Sequence, residues 1–420
     1  MSARTCLQSP RARAGLAAVA FALLAPARPA RAQTATAKLG STVFYEPSRT
    51  SKMTVLSPSA DVSVSPWTFL SVDAGYSADI VTGASEAVKA GPITSVDVVS
   101  SATHLSDFRH IVHGGFTITR ESTHLGASYS YGTEHDYRSN AITVTAGTDF
   151  LQKNTQIELS YGHGFDSVCN SAYSPTLAAV YRPRLDSSAG CFNGAENRQT
   201  MPLALDNSQV AWSQSWTPVL ATQLSLTGAV QHGFLGNPYR AVVIGAGGQE
   251  AQEHHPDNRA RGAVSLALKY YVRPLETAFT LSARGYRDTW DVVGQTYELD
   301  AEHYVLPWMR VLVRGRYYTQ TGALFWSDDY TGGEPKYGPR GQYWTGDREL
   351  SPLWNFLVGG RLLMSWEGRT DARLAGALLG FDASVSADLM KTYLDEFTWG
   401  GKHADDTLAL IAGVSLGGVF

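Results

Sequence analysis

The side chains best suited to chemistry fall in three places. Glu250, Glu253, His254, His255 and Asp257 crowd one polar segment, GFLGNPYRAVVIGAGGQEAQEHHPDNRAR. Imidazole and carboxylate together suit several divalent ions, but adjacent histidines rarely turn to one centre, and an exposed acidic loop explains the same residues. No metal is expected there. Gly245, Gly247 and Gly248 lack the strand–turn–helix context of a phosphate-binding loop. Ser160, His163 and Asp166 in SYGHGFD are the residue types of a hydrolytic triad. Closeness along one strand end does not set three side chains in hydrogen-bond sequence, and no nucleophile elbow surrounds them. The sequence names no catalytic residue, and the chain is not expected to be an enzyme.

The third group is the most informative. On three successive predicted strands the even positions carry charge: Glu276, Arg284 and, just past the strand end, Asp288; then Glu298, Asp300 and Glu302; then Arg310, Arg314 and Arg316. An acidic strand beside a basic one should pair across the ladder. Two readings stand open: a transverse field that orients a polar solute in an aqueous pore, or an ion-pair network that stiffens or plugs the wall. An even mixture of signs gives no strong ion selectivity.

Strands must position these groups. Period-two alternation recurs along the chain, as in Leu125, Ala127, Tyr129 and Tyr131 against Ser128 and Ser130, or Phe381, Val385 and Leu389 against Asp382, Ser384 and Asp388. Soluble sandwiches also alternate. The runs here, however, are mostly about ten residues or more, the length a tilted strand needs to cross hydrocarbon. Counting back from Phe420 gives strands near 407–420, 379–392, 352–366, 308–320, 296–304, 275–287, 257–271, 220–232, 207–216, 152–164, 137–148, 122–131, 106–119, 67–80, 51–64 and 39–46. The fold class expected is all-β: a transmembrane antiparallel β-barrel of about sixteen strands.

With Phe420 on the periplasmic side, short turns at Ser65-Pro66, Arg120-Glu121, Asp149 to Leu151, Thr217 to Val219, Val272 to Pro274 and Val305 to Pro307 share that side. The long connections near 81–105, 165–206, 233–256 and 321–351 face outward. Two connections fit this rule poorly, 367–378 being long for its side and 47–50 short. Trp67, Tyr131, Trp308, Tyr317, Trp354 and Trp366 fall near strand ends, as interface aromatics do.

The first thirty-odd residues read as an address. Arg4, Arg11 and Arg13 precede a short apolar run, Gly15 to Ala25, and Ala30-Arg31-Ala32 supplies a small-x-small cleavage pattern. Residues 1–32 are therefore expected to be a cleaved signal peptide and residues 33–420 one outer-membrane barrel domain. Cys6 leaves with the leader. Cys169 and Cys191 lie in one polar stretch of an exported chain, where a disulfide that staples a loop is the simplest reading. A formal net charge of -4 argues against a nucleic-acid partner, which normally meets a basic patch.

Several short motifs in one order resemble the bacterial outer-membrane proteins grouped as domain of unknown function 3570: VLSPSADVSV, VDAGYSADIVTGAS, HLGASYSYGTEHDYRSNAITV, QKNTQIELSYGHG, GFLGNPYR, HPDNRAR and RVLVRGRYYTQTGALFW. The NPYR and HPxxR elements fall on Asn237, Pro238, Tyr239 and Arg240 and on His255, Pro256 and Arg259. The resemblance implies a signal-bearing barrel of unassigned activity in the outer membrane, with lipid and the barrel-assembly machinery as partners. It also implies an association with envelope redox proteins. No cofactor is expected, since nothing binds heme or flavin by motif. Asn-Pro-Tyr-Arg can also simply fix a turn. The expected role is a porin-like channel or conduit for small polar solutes, with a scaffold for an envelope redox complex as the alternative.

Overall fold

The structure, a computed structural model, describes residues 34–47, 52–82, 98–100, 106–170, 173–185, 191–192, 199–245, 249–330, 342–367, 378–394, 396–399, 402–403 and 406–420. The expected leader, residues 1–32, lies outside the described residues, as do Gly247 and Gly248.

Sixteen antiparallel strands close into one barrel. They are β1 Thr34–Pro47, β2 Lys52–Trp67, β3 Leu70–Thr82, β4 Ser106–Arg120, β5 Thr123–Thr133, β6 Tyr137–Phe150, β7 Thr155–Cys169 and β8 Thr200–Thr217. The second half comprises β9 Leu220–Gly233, β10 Asn258–Val272, β11 Thr277–Asp288, β12 Val293–Leu306, β13 Met309–Gln320, β14 Leu353–Glu367, β15 Gly380–Tyr393 and β16 Thr407–Val419. Each strand pairs with its sequence neighbours, and β1 closes the ring on β16, from Thr36 opposite Val419 to Tyr45 opposite Leu410. Among the described residues no helix is long and apolar enough to cross a membrane. The crossing elements are strands.

Alternation sorts the side chains. Leu281 on β11, Val358 on β14 and Val414 on β16 stand outward with 56%, 62% and 55% of their surface exposed, an arrangement that is stable only if hydrocarbon covers them. The next residues along the same strands, Ser282, Gly359 and Ser415, face the lumen. Trp67, Phe69, Trp216 and Trp308 edge the outer wall at the short-turn end. Tyr317, Trp354, Phe356 and Tyr393 cluster on the outside toward the long-loop end, the rings of Trp354 and Tyr393 stacked 3.8 Å apart. On β8, ten residues separate Trp216 from Asp206, where Tyr161 and His163 donate to the carboxylate at 2.5 and 2.9 Å. A tilted strand of that length rises about 25 Å, the height of an outer-membrane apolar band.

Short turns gather at one end. The first lies at Thr68-Phe69 rather than at Ser65-Pro66, because the ladder resumes with Trp67 opposite Leu70 after a register break beyond Val64. Pro66 has no N–H to donate and fits that break. Leu151, Gln152 and Lys153 turn β6 into β7 with φ of 47°, 58° and 69°. At the other end β7 and β8 outrun their expected limits of 164 and 207, continuing to Cys169 opposite Thr200, so the connection between them shrinks to 170–199. The connection after Glu367 is long for the short-turn end, and most of it lies outside the described residues.

Arginine at the centre of the lipid face should cost about 2 to 4 kcal/mol, whereas one facing the lumen meets water and carboxylates. Leu281→Arg is therefore expected to lower the unfolding free energy of the refolded barrel in liposomes by that amount. Ser282→Arg, one residue along the same strand, should cost far less. Denaturant titration followed by tryptophan fluorescence checks both, and equal losses would mean that the two faces are misassigned.

Candidate functional site: a charged lumen beneath a packed cap

Loops at the long-loop end do not simply project. Val242, Ala251, Trp290, Val292, Phe325, Trp326, Tyr330, Trp344, Leu350, Leu394 and Phe397, drawn from four connections, form one buried cluster. Such loops can leave water only if their backbone polar groups find partners, and they do. A three-stranded sheet joins 98–100, 240–244 and 249–252. His254 and Trp344 exchange backbone hydrogen bonds at 3.1 and 2.9 Å, and the indole N–H of Trp344 donates to the carbonyl of Gln252 at 2.8 Å. The hydroxyl of Tyr330 sits 2.8 and 2.9 Å from the carbonyls of Phe325 and Thr345. Residues 346–350 reach across the mouth. Arg348 donates to Glu46 on β1 at 2.9 Å, while Asp347, Glu349 and Leu350 border a cavity of about 580 Å³ whose far side is Tyr137 on β6 and Val168 on β7.

The family-motif residues build this cap. Asn237 Oδ1 accepts the N–H of Tyr239 at 2.9 Å, closing a turn that asparagine and proline favour. The Pro238 carbonyl accepts from the N–H of Leu185 and from Gln252 Nε2 at 2.8 and 3.1 Å. Arg240 is paired with Asp347. The His255 Nδ1 donates to the Leu235 carbonyl at 3.0 Å, and its other nitrogen faces Glu253 at 3.6 Å. Pro256 ends the segment ahead of β10. Arg259 donates to Asp288 through Nε at 2.8 Å and lies 4.2 Å over the Trp290 ring. Gly233, where the segment leaves β9, has φ of +121° and abuts the Pro202 carbonyl; a side chain there would collide with backbone.

The histidine-rich stretch is a clamp between loops. Glu253, almost fully buried, accepts from Thr345 Oγ1 and the Gly346 N–H at 2.9 and 3.1 Å, His254 bonds the Gln342 carbonyl at 2.6 Å, and Glu250 pairs with Arg184 at 2.7 Å. Their side chains turn to different neighbours, and among the described residues no three metal-ligating groups gather. His163 stands on the outer wall with Asp206, whereas Asp166 faces the lumen, bonded by the Tyr137 hydroxyl and, at 3.0 Å, the Asn140 N–H. The wall itself separates them. Cys169 and Cys191 are joined in a disulfide with Cα atoms 5.5 Å apart. It ties the start of the connection after β7 to Phe192, whose N–H donates to the His135 carbonyl at 3.0 Å.

The charged strands meet the lumen, with two departures from the expected pairing. Asp300 is opposite Arg314 and Glu298 opposite Arg316 in the ladder, yet Arg314 turns the other way. It forms a two-pronged pair with the almost fully buried Asp388, Nε to Oδ1 at 2.7 Å. Gly359 lies between them in register. Lacking a side chain, it leaves the path clear for a guanidinium to cross a whole strand. Arg310 takes Glu302 at 2.8 Å, with Lys269 at 3.7 Å on the same carboxylate, and Arg316 rests 3.8 Å from the Met390 sulfur. The second departure is Glu276. It is the left-handed residue, φ 46°, that closes the short turn into β11, and is exposed there rather than in the lumen wall. Asp288 is buried at the top of β11, where its Oδ1 accepts the N–H groups of Trp290 and Val292, both at 3.0 Å. Arg284 lines the lumen.

Burial works against the Asp347 carboxylate, but Arg240, the Glu349 N–H and His255 outweigh it and hold its pKa below the ordinary carboxylate value. The folded value thus lies below the unfolded one. The contribution is complete at neutral pH and is lost as pH falls through the lowered value. Protease resistance of the 342–352 segment should accordingly persist from neutral pH down to the ordinary carboxylate range, about 3.9, and fail only below it. Asp347→Ala, which strands a buried arginine, should cost the cap about 3 to 5 kcal/mol and open the segment at neutral pH while the barrel transition stays put. Cleavage patterns read by mass spectrometry test both, and an unchanged pattern in the variant would show that the pair does not hold the cap.

A model of the family described as protein of unknown function (DUF3570) matches residues 13–351. Among curated proteins none matches the chain. A solved bacterial polysaccharide outer membrane secretin is 10% identical, with a TM-score of 0.47 over 91% of this chain and 97% of its own. OccD3 (OpdP) of Pseudomonas aeruginosa is 9% identical, with a TM-score of 0.42 over 92% and 91%. OpdK of the same organism, solved with vanillate, is 9% identical, with a TM-score of 0.43 over 92% and 98%. With a family model matched over most of its length, a closed barrel and an apolar outer belt, the chain belongs to the DUF3570 family and is a β-barrel of the bacterial outer membrane.

Proposed function

We propose that this protein is a conduit for small polar solutes, narrowed at its outer mouth by the loop cap. The observation that carries the reading is the lumen. Beneath the cap lies a cavity of about 600 Å³ whose wall carries hydroxyl, amide and charged groups, including Ser139, Ser160, Asn207 and Gln209, among glycines, alanines, Ile111 and Leu205. A barrel that only anchored a partner could fill its interior with apolar side chains, as small barrels do. Here the packed apolar cluster belongs to the loops, and the transmembrane interior is left polar. We further assign residues 33–420 to one mature barrel domain, delivered by the leader and folded by the barrel-assembly machinery.

The cap also favours a second reading. A layer of buried tryptophan, phenylalanine and tyrosine presents a fixed outer surface, which suits a scaffold. The envelope redox partners implied by the family resemblance are the natural candidates for it, and recovery of partners by crosslinking in native membranes tests that.

Purified barrel in a planar bilayer should show small or intermittent openings. Arg348→Ala, which frees residues 346–350 from β1, should raise conductance and the rate of liposome swelling several-fold. Silence from both proteins, each with the heat-modifiable migration of a folded barrel, would retire the conduit and leave the scaffold. Intact mass of the protein extracted from outer membranes should correspond to a chain beginning at Gln33; a mass that retains residues 1–32 would refute the cleavage assignment.

A further inference from the structure

Charges in the lumen are mostly spoken for. Arg314 has Asp388, Arg310 and Lys269 share Glu302, and Arg259 has Asp288. Of the arginines without a carboxylate, Arg316 rests on the Met390 sulfur and Arg361 donates to Ser384 Oγ, and three others share one place: Arg109 at the top of β4, Arg261 at the top of β10 and Arg284 on β11. All three line the same 600 Å³ cavity. Among the described residues none of them has a carboxylate within ion-pairing distance. Asp166, which lines the cavity too, already accepts from Tyr137 and the Asn140 N–H. Asp79, opposite Arg109 in the ladder, accepts from Ser57 Oγ at 2.7 Å, and Asp288, opposite Arg261, is held by Arg259. The nearest carboxylate along the ladder from Arg284 is Glu298, in register with Ser282. The Nε atoms of Arg109 and Arg261 are buried without any hydrogen-bond acceptor.

Like charges facing one partly enclosed space repel one another, and a buried guanidinium donor without an acceptor costs free energy. Both penalties vanish when an anion enters. Guanidinium forks match carboxylate and phosphate oxygens two at a time, and low-dielectric walls concentrate the field on whatever occupies the space. The polar part of the remaining lining is hydroxyl and amide, including Ser139, Thr143, Ser160, Asn207 and Gln209, set among glycines, alanines, Ile111 and Leu205. Such hydroxyls and amides can exchange hydrogen bonds with the hydroxyls of a ligand. The volume falls within the roughly 300 to 1,000 Å³ of small-molecule sites. The geometry points to a binding site for a small hydroxylated organic anion, of the sugar-acid or sugar-phosphate type, held under the cap by Arg109, Arg261 and Arg284. This names the solute class of the proposed conduit and rests on the same lumen, but binding can be measured without passage.

Isothermal titration of the purified full barrel in detergent with 6-phosphogluconate, inorganic phosphate and glucose tests it. Saturable binding of 6-phosphogluconate is expected, weakening as salt is raised. Affinity should fall at least about tenfold in Arg261→Gln and in Arg109→Gln, with glucose giving no heat. Heat-modifiable migration confirms that each variant is folded. Absence of binding to the native barrel, or undiminished affinity in both folded variants, overturns the site. Inorganic phosphate binding as tightly as 6-phosphogluconate overturns the hydroxylated ligand, and glucose binding as tightly overturns the anion requirement. Binding by a barrel that is silent in the bilayer removes the conduit and keeps the site; conduction without binding does the reverse.

Discussion

Every backbone N–H and C=O that enters hydrocarbon must be paired within the protein, and this single constraint organises the molecule. An open sheet would expose two edges, so β1 has to meet β16, and the sixteen ladders form one ring. Once the ring closes, a strict period of two decides the fate of each side chain. Outward positions face lipid and must be apolar; inward positions collect the hydroxyls and charges that lipid would reject. The charged lumen is thus first a consequence of closure. What the protein adds is how those charges are arranged.

That division explains what was legible in the sequence. Sixteen alternating runs, their order and the side of the wall each residue would face follow from local pattern, which is why Arg284, Glu298 and Arg314 could be placed in the lumen from residue parity alone. Glu276 shares that parity but lies beyond the strand end, where a left-handed turn residue is required and the period of two no longer applies. Strand limits at the long-loop end were illegible for a similar reason. Above the apolar band nothing forces alternation, and β7 and β8 extend because a ladder is available, not because their residues alternate.

Pairing partners were less legible than positions. Residue parity sets Asp300 opposite Arg314, but the bond goes to Asp388, two strands away from Arg314, through the gap left by Gly359. Only the register of three strands together shows that a glycine stands where a side chain would block the path. The cap lies further from sequence reading still. Glu253, His254 and His255 look like a ligand cluster in one dimension. In three dimensions they meet Thr345, Gln342 and Leu235, and no spacing rule connects residue 253 with residue 345. The motif Asn237 to Arg240 carried its signal as turn chemistry, which holds, while the partner that fixes Arg240, Asp347, lies in another connection altogether.

The sign of the charges also changes along the barrel axis. Expected as an even mixture, they are even only where β12 to β15 pair their own. At the capped end the groups without an ion-pair partner among the described residues include Arg109, Arg261 and Arg284 against Asp79, which accepts from Ser57 Oγ. Toward the short-turn end Asp73 and Asp382 face the lumen near the starts of β3 and β15, and Asp61 and Glu158 lie within 3.3 and 4.0 Å of His113 and His124. A solute crossing such a lumen meets a surplus of cationic donors first and, lower down, these carboxylates set among Lys38, Lys269, Arg310 and Arg361. An anion held at the arginines would be repelled by what lies below, so it would be retained beneath the cap rather than passed freely down the axis. A lumen polarised in this way is poorly matched to a general sieve. It fits better a barrel that takes up a particular class of solute at one end and needs a change in the cap, or in the charge of the occupant, before releasing it at the other.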